Sequence, residues 1–133
     1  MISWADFEKL LIKTGTIVEV ADFPKAKKPA YKLKIDFGKD GLKNSSAQIT
    51  KHYNHEQLMG MQVLAVVNFP PKQIANFISE CLVLGVYDEN NDVVLVQPEK
   101  KVAPFSSFSS SIKWTLLMYS LLPLICSRPS GDW

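Results

Sequence analysis

The sequence contains few of the residues that cross-link a small fold or bind a metal ion. Its 133 residues include only two cysteines, Cys81 and Cys126, which is too few for a disulfide framework. Cys81 lies inside an apolar run, and this position indicates a reduced, buried side chain. The two histidines, His52 and His55, have no cysteine pair near them. We therefore expect no metal site and no cofactor.

Sequence motifs for catalysis are also missing. The chain has no phosphate-binding loop, no dinucleotide-binding fingerprint and no Ser–His–Asp order of the hydrolase type. His52 and Glu56 have the spacing of neighbours on one helix face, but such pairs are common on helix surfaces. We predict that the protein is not an enzyme.

Hydrophobic segments long enough to cross a bilayer are absent. The longest apolar stretch, residues 112–126, has 15 residues and contains Lys113 and Pro123, whereas a span needs about 20. At the N-terminus, Asp6 and Glu8 interrupt the apolar residues that a signal peptide would require. We expect a cytoplasmic protein with no membrane span.

Short runs rich in branched side chains dominate the rest of the chain. With 47% hydrophobic residues, 133 residues suffice for one core. Residues 30–37 alternate clearly, with Tyr31, Leu33 and Ile35 on one face and lysines on the other. Further strands are predicted at residues 14–20, with Gly15 near a bend or bulge, and at residues 45–49, 63–67, 80–86 and 93–97.

Two short helices complete the predicted fold. Ser3 can cap a helix over residues 4–10, with Asp6 reciprocating, and its apolar stripe should pack on a sheet or form an oligomer contact. Asn54 can cap a second helix, Gln57 can reciprocate, and Gly60 can end it. Five or six short strands with a small helix after the third and no βαβ rhythm predict a mainly β fold. We expect a five-stranded OB-fold barrel with short flanking helices.

Positive charge is concentrated between residues 22 and 51, which hold eight lysines and three aspartates. Such a region can attract phosphate or an acidic surface, although a solvated lysine face is the plainer interpretation. Together with one lysine of the loop described next, it gives the candidate RNA contacts Lys25, Lys27, Lys28, Lys32, Lys34 and Lys72.

The segment between the predicted strands 63–67 and 80–86 is unusual for a hairpin. Pro70 and Pro71 remove two backbone donors and should stop strand pairing. Polar side chains then alternate with apolar ones, a mixture that can contact RNA or grip a peptide. Alternatively, its aromatic rings simply cover the end of the core. The candidate peptide contacts are Phe69, Pro71, Phe77 and Ile78.

Two segments resemble the family of CsaA-type export-related chaperones and tRNA-binding domains. They read I-K-T-G-T-I-V-E-V-A-D-F-P-K-A-K-K-P and Y-N-H-E-Q-L-M-G-M-Q-V-L-A-V-V-N-F-P-P. This family includes the domain appended to many methionyl-tRNA synthetases, and the resemblance covers residues 1–98. It implies an OB-fold homodimer that binds tRNA and unfolded or precursor polypeptides, with Asn68 and Ser79 facing RNA. The alternative is a peptide-binding holdase in protein export with no physiological RNA partner.

The C-terminal region departs from this family. We assign residues 1–101 to the OB-fold domain and residues 102–133 to a serine-rich linker with an apolar tail outside it. The tail could dock on the barrel, extend a dimer contact or occupy the peptide groove. The abrupt change in composition favours a fourth interpretation, a frame-shifted or read-through extension without a selected role.

Overall fold

A computed structural model describes residues 1–103, and the predictions for residues 104–133 of the tail, including Cys126, lie outside these residues. The described elements, in chain order, are α1 (Trp4–Glu8), β1 (Ile12–Asp22), β2 (Tyr31–Asp36), a 3-10 turn (Gly38–Asp40), β3 (Leu42–Ala47), α2 (His55–Leu58), β4 (Gln62–Val66), β5 (Lys72–Ile74), β6 (Phe77–Ser79), β7 (Leu82–Val83), β8 (Gly85–Tyr87) and β9 (Val93–Leu95).

Five of these strands form one antiparallel sheet in the order β3-β2-β1-β4-β7. The sheet curls into a nearly closed barrel, because β3 also contacts β6 and β7 at the far edge. Two hairpins, β5–β6 and β8–β9, attach to it. The predicted mainly β, five-stranded barrel with short helices is confirmed. Within residues 1–103, no helix is long and apolar enough to cross a membrane.

The core follows the alternation of β2. Leu33, Ile35 and Phe37 are at most 1% exposed, and Lys32 and Lys34 on the opposite face are half-buried. Branched and aromatic side chains favour this arrangement because they pack well on a pleated surface. The inward face of β2 therefore fixes its register between β1 and β3.

Both helix caps form as predicted. Ser3 Oγ accepts from the Asp6 N–H at 3.1 Å, and Asp6 Oδ2 accepts from the Ser3 N–H at 3.1 Å. Asn54 and Gln57 make the same reciprocal pair ahead of α2. However, α1 ends at Glu8 and has no buried residue, so it does not cover the sheet as a lid.

Gly15 lies near an irregularity of β1, as predicted, but does not form it. It pairs regularly with Val63, and the register of β1 against β2 shifts two residues later, between Ile17 and Glu19. Gly15 is needed for close packing instead. A Cβ there would lie 2.5 Å from Ile35 Cγ2 and 2.7 Å from Phe37 Cε1.

The segment after Pro70 and Pro71 forms a hairpin of its own, whereas the sequence suggested an irregular loop. β5 pairs with β6 from Lys72↔Ser79 to Ile74↔Phe77, and Ala75 turns the chain with φ of +51°. The predicted strand 80–86 is also broken, because β7 covers only Leu82–Val83 and β8 (Gly85–Tyr87) belongs to a separate two-stranded sheet.

Glu80 closes the barrel by pairing with β3. Its N–H donates to the Asn44 carbonyl at 2.7 Å, and its Oε2 accepts from the Asn44 N–H at 2.8 Å. Beside this pair, the buried Ser45 Oγ donates to the Cys81 carbonyl at 3.0 Å. Among residues 1–103 no regular strand pairs with this edge of β3, and the Glu80 carboxylate and Ser45 hydroxyl satisfy backbone groups there instead.

Candidate nucleic-acid interface

Four of the predicted RNA-binding lysines line one cleft of about 600 Å³. Three of them come from the β1–β2 loop and the fourth from the β5–β6 hairpin. We refer to it as the lysine cleft and define it by Lys25, Lys27, Lys28 and Lys72. The other residues that line the cleft have small, amide or aliphatic side chains, namely Ala26, Ala30, Ser46, Gln48, Gln73, Ile74 and Ala75.

The β1–β2 loop is shaped by contacts at its base. Phe23 is buried, its N–H donates to the Ala30 carbonyl at 3.2 Å, and its carbonyl accepts from the Ala26 N–H at 3.2 Å. Pro24 and Pro29 flank the lysines and fix φ on both sides. The loop is therefore anchored at both ends, and its three lysines are exposed.

The second wall is held against the barrel by the hairpin. Ser79, which pairs with Lys72 across the hairpin, places its Oγ 3.4 Å from the Ser46 nitrogen of β3. This contact and the adjacent Glu80–Asn44 pair position the β5–β6 hairpin on β3. As a result, Lys72 lies beside lysines that precede it by more than forty positions.

The electrostatics of the lysine cleft have a single sign. No acidic side chain lines it, and within residues 1–103 none of its four lysines forms an ion pair. Ammonium groups in this arrangement attract a polyanion, since within residues 1–103 no carboxylate is ion-paired with them.

Lys32 and Lys34 lie outside this cleft. They line a separate depression with Glu19 and Phe77. Lys34 Nζ is 2.9 Å from Glu19 Oε2, and Lys32 Nζ lies 4.9 Å from the Phe23 ring centroid. Both cations therefore have partners within the chain, a carboxylate and an aromatic face respectively.

Asn68 and Ser79 also have partners within the chain. The Asn68 amide accepts from the Leu11 N–H at 2.9 Å and donates to the Lys9 carbonyl at 2.6 Å. Ser79 Oγ donates to the Cys81 carbonyl at 3.2 Å. Asn68 thus joins the start of β1 to the end of β4, and Ser79 contributes to the closure of the barrel.

The four predicted peptide contacts are not brought together. Phe69, which is 48% exposed, lines a largely apolar cleft of about 270 Å³ with Ile74 and Leu82, and Lys72 and Glu80 also line it. Phe77 instead packs edge-on against Phe23, with the ring centroids 5.5 Å apart. Ile78 follows Phe77 in the same strand and therefore faces the other side of the hairpin. Pro71 is exposed, and Pro70 lines the cleft in its place.

Sequence reasoning missed two residues of the lysine cleft, Ser46 and Gln48. In the structure Ser46 faces outward between the buried Ser45 and Ala47, but the sequence S-S-A does not show which serine is buried. Gln48 follows β3 and carries no sequence signal either. Both add hydrogen-bonding groups between the lysines.

One group of side chains outside these clefts has metal-ligand chemistry. His52, Asp88 and Asp92 place their ligand atoms within 4.8 Å of one another. Asp88 Oδ1 accepts from the N–H groups of Asn90 and Asp92, and Asp88 Oδ2 lies 2.7 Å from His52 Nε2. The Asp92 N–H and then His52 lower the pKa of Asp88. Both carboxylate oxygens of Asp88 are thus engaged in holding the β8–β9 turn.

Known proteins are similar to this chain in architecture and in sequence. Residues 12–106 match the family described as putative tRNA binding domain. The crystal structure of the chaperone CsaA from Bacillus anthracis str. Ames is 49% identical, with a TM-score of 0.78 over 81% of this chain and 98% of that chain. The CsaA chaperone protein from Picrophilus torridus is 53% identical, with a TM-score of 0.77 over 81% and 99% of the two chains.

Part of a larger enzyme is also similar. The methionine–tRNA ligase of Porphyromonas gingivalis (strain ATCC 33277) is 37% identical over 105 residues, which is 79% of this chain. The chain spans only 15% of the length of that ligase. The similarity therefore concerns a small portion of the ligase.

Proposed function

This chain belongs to the putative tRNA-binding domain family, and from that premise we propose that it binds tRNA through the lysine cleft and catalyses no reaction. The observation that carries the proposal is the convergence of Lys25, Lys27, Lys28 and Lys72 on one cleft with no acidic side chain in its lining. These lysines come from two separate segments, and the barrel brings them together.

The chemistry of the cleft suits a ribose-phosphate backbone. Each lysine can neutralise a phosphate, and the release of condensed counterions favours binding at low salt. The amides of Gln48 and Gln73, which lie between the lysines, can reach a 2′-hydroxyl or a base edge. Asn68 and Ser79 then act by supporting the barrel and the hairpin, in keeping with their contacts inside the chain.

A pair of charge reversals tests the proposal. Lys28→Glu with Lys72→Glu should weaken binding of labelled tRNA more than tenfold at ~0.1 M salt, because two phosphate contacts become repulsive. The matched control is Lys100→Glu with Lys101→Glu, which changes the net charge equally at two exposed positions outside the cleft. Equal losses for both double variants would show that net charge alone drives binding.

We also propose a second activity, the binding of extended, unfolded or precursor polypeptides. Similarity to two CsaA chaperones supports it, as does the apolar cleft where Phe69 and Leu82 are about half exposed. Phe69→Ala should weaken binding of an unfolded polypeptide, and the wild-type interaction should depend little on salt and show a negative heat-capacity change. Phe77→Ala, outside that cleft, is the control. A peptide affinity that is unaffected by Phe69→Ala would remove this activity from the cleft.

Two further parts of the proposal are a homodimer and a cytoplasmic location. Helix α1 supports the first, because no residue of α1 is buried and the exposed Trp4 ring is available for an oligomer contact. Sedimentation equilibrium should then give about twice the chain mass of 15.0 kDa, and Trp4→Glu should shift it toward the monomer. A wild-type chain that sediments as a monomer at high concentration would contradict the dimer.

A further inference from the structure

A second cleft adjoins the lysine cleft. It has a volume of about 630 Å³ and shares Lys28 and Gln48 with the lysine cleft as common lining residues. Its opposite wall is the β8–β9 hairpin, which contributes Tyr87, Asn91, Asp92 and Val93, and Thr50 and Lys51 complete it. A ligand bound along the lysine cleft can therefore continue past Lys28 into this second space.

Tyr87 is the most exposed aromatic side chain of residues 1–103, with 73% of its surface accessible. It pairs with Val93 at the end of the hairpin, next to the turn of residues 88–92. Within the described part of the chain, its ring stacks on no other aromatic ring. A planar ring beside Lys28 and Lys51 is thus available for an external partner.

The hairpin holds this ring on a well-bonded turn. Asp88 Oδ1 accepts from the Asn90 and Asp92 N–H groups at 2.9 Å, and the Asp88 N–H donates to the Asp92 carbonyl at 2.9 Å. His52 contacts the same carboxylate from the neighbouring segment. Because these bonds fix the turn, the backbone that carries Tyr87 has little conformational freedom to lose on binding.

We propose that Tyr87 stacks an unpaired nucleobase of the RNA whose phosphates occupy the lysine cleft, an inference that rests on the proposed function. An aromatic ring flanked by cations is the usual platform for a base and its phosphate. Lys28 and Lys51 can bind the adjacent phosphates, and the Asn91 amide, which lines the same cleft, can hydrogen-bond the base edge.

The test compares two labelled RNA hairpins, one blunt and one with four unpaired cytidines at its 3′ end. The full-length wild-type chain should bind the extended hairpin more tightly. Tyr87→Ala should lower the affinity for the extended hairpin by roughly 5- to 150-fold, because stacking contributes about 1–3 kcal/mol per base. Its affinity for the blunt hairpin and its salt dependence should not change. Tyr87→Trp should preserve the preference.

Val86→Ala is the matched control, because Val86 is exposed on the opposite face of the same strand. A preference for the extended hairpin that survives Tyr87→Ala, or that the wild type lacks, would overturn the inference. If either result came with intact, lysine-dependent binding of tRNA, the proposed function would still stand. Failure of every RNA to bind at low salt would overturn both. Circular dichroism confirms that each variant is folded.

Discussion

Glu80 offers a direct test of how the barrel is closed. Its carboxylate accepts from the Asn44 N–H at 2.8 Å, and its own N–H donates to the Asn44 carbonyl at 2.7 Å. Glu80→Ala removes the side-chain acceptor and leaves the partly buried Asn44 N–H without it. Glu80→Gln removes the same charge but keeps an oxygen that can accept this bond.

The expected cost follows from the type of hydrogen bond. A bond to a charged group contributes about 1.5–3 kcal/mol, and a neutral one about 1 kcal/mol. Glu80→Ala should therefore lower the free energy of unfolding by about 2 kcal/mol and Glu80→Gln by about 1 kcal/mol. For a domain of this size, 2 kcal/mol corresponds to a fall in Tm of roughly 8–16 °C.

Urea unfolding followed by circular dichroism measures both values, and an unchanged m-value shows that the native barrel remains compact. Both variants raise the net charge by one. A difference in stability between them therefore reports the hydrogen bond to Asn44 rather than the change in charge. If both variants matched the wild type within about 0.5 kcal/mol, the Glu80 carboxylate would not contribute to closing the barrel. Equal losses for both would assign the effect to charge.

Other expectations concern packing and protonation. Gly15→Ala should cost about 3 kcal/mol, measured by urea unfolding, because its Cβ would overlap Ile35 and Phe37; a neutral effect would contradict the close packing. Burial raises the pKa of Cys81 from 9.0 to about 11. In a Cys126→Ser background, the free energy of unfolding with Cys81 can be compared with that of the Cys81→Ala variant. The difference between the two should stay constant below pH 9. Between pH 9 and pH 11 the protein with Cys81 should lose at most about 3 kcal/mol relative to the variant. A difference that stays flat would refute the raised pKa. The Ser3 N–H lowers the pKa of Asp6 below 3.8, so its share of stability is present above that pH and is lost as pH falls further. An NMR titration of Asp6 checks this, and a midpoint at or above 3.8 would contradict it.

Local patterns predicted the barrel because its strands and caps are specified by neighbouring residues. Alternation along β2 predicted which side chains are buried, and the reciprocal pairs Ser3–Asp6 and Asn54–Gln57 predicted where the helices begin. These signals depend on residues two to four positions apart, which a sequence displays directly.

The hairpin β5–β6 was harder to predict. Its turn contains Ala75 at a φ of +51°, whereas tight hairpins usually have glycine or asparagine at such a position. Pro70 and Pro71 correctly predicted the end of β4 pairing, but they gave no indication of the new pairing that begins at Lys72. A backbone conformation that its own residue disfavours leaves no local signal.

The site was only partly visible in the sequence because charge predicts attraction but not position. All eight proposed RNA contacts are polar or cationic, yet only four share the lysine cleft. Lys34 pairs with Glu19, and Asn68 bonds to the backbone at the start of β1, through contacts distant in sequence. Tyr87 joins the neighbouring cleft only because the barrel brings the β8–β9 hairpin close to Lys28.

The salt dependence of tRNA binding tests the central claim most directly. Each phosphate contact adds about 0.9 to the slope of log K against log salt concentration for a duplex. Replacing Lys25, Lys27, Lys28 and Lys72 together by glutamine should reduce the magnitude of that slope by up to about 3.6, while Lys100→Gln with Lys101→Gln should leave it nearly unchanged. An unaltered slope in the fourfold variant would contradict the lysine cleft as the tRNA-binding surface.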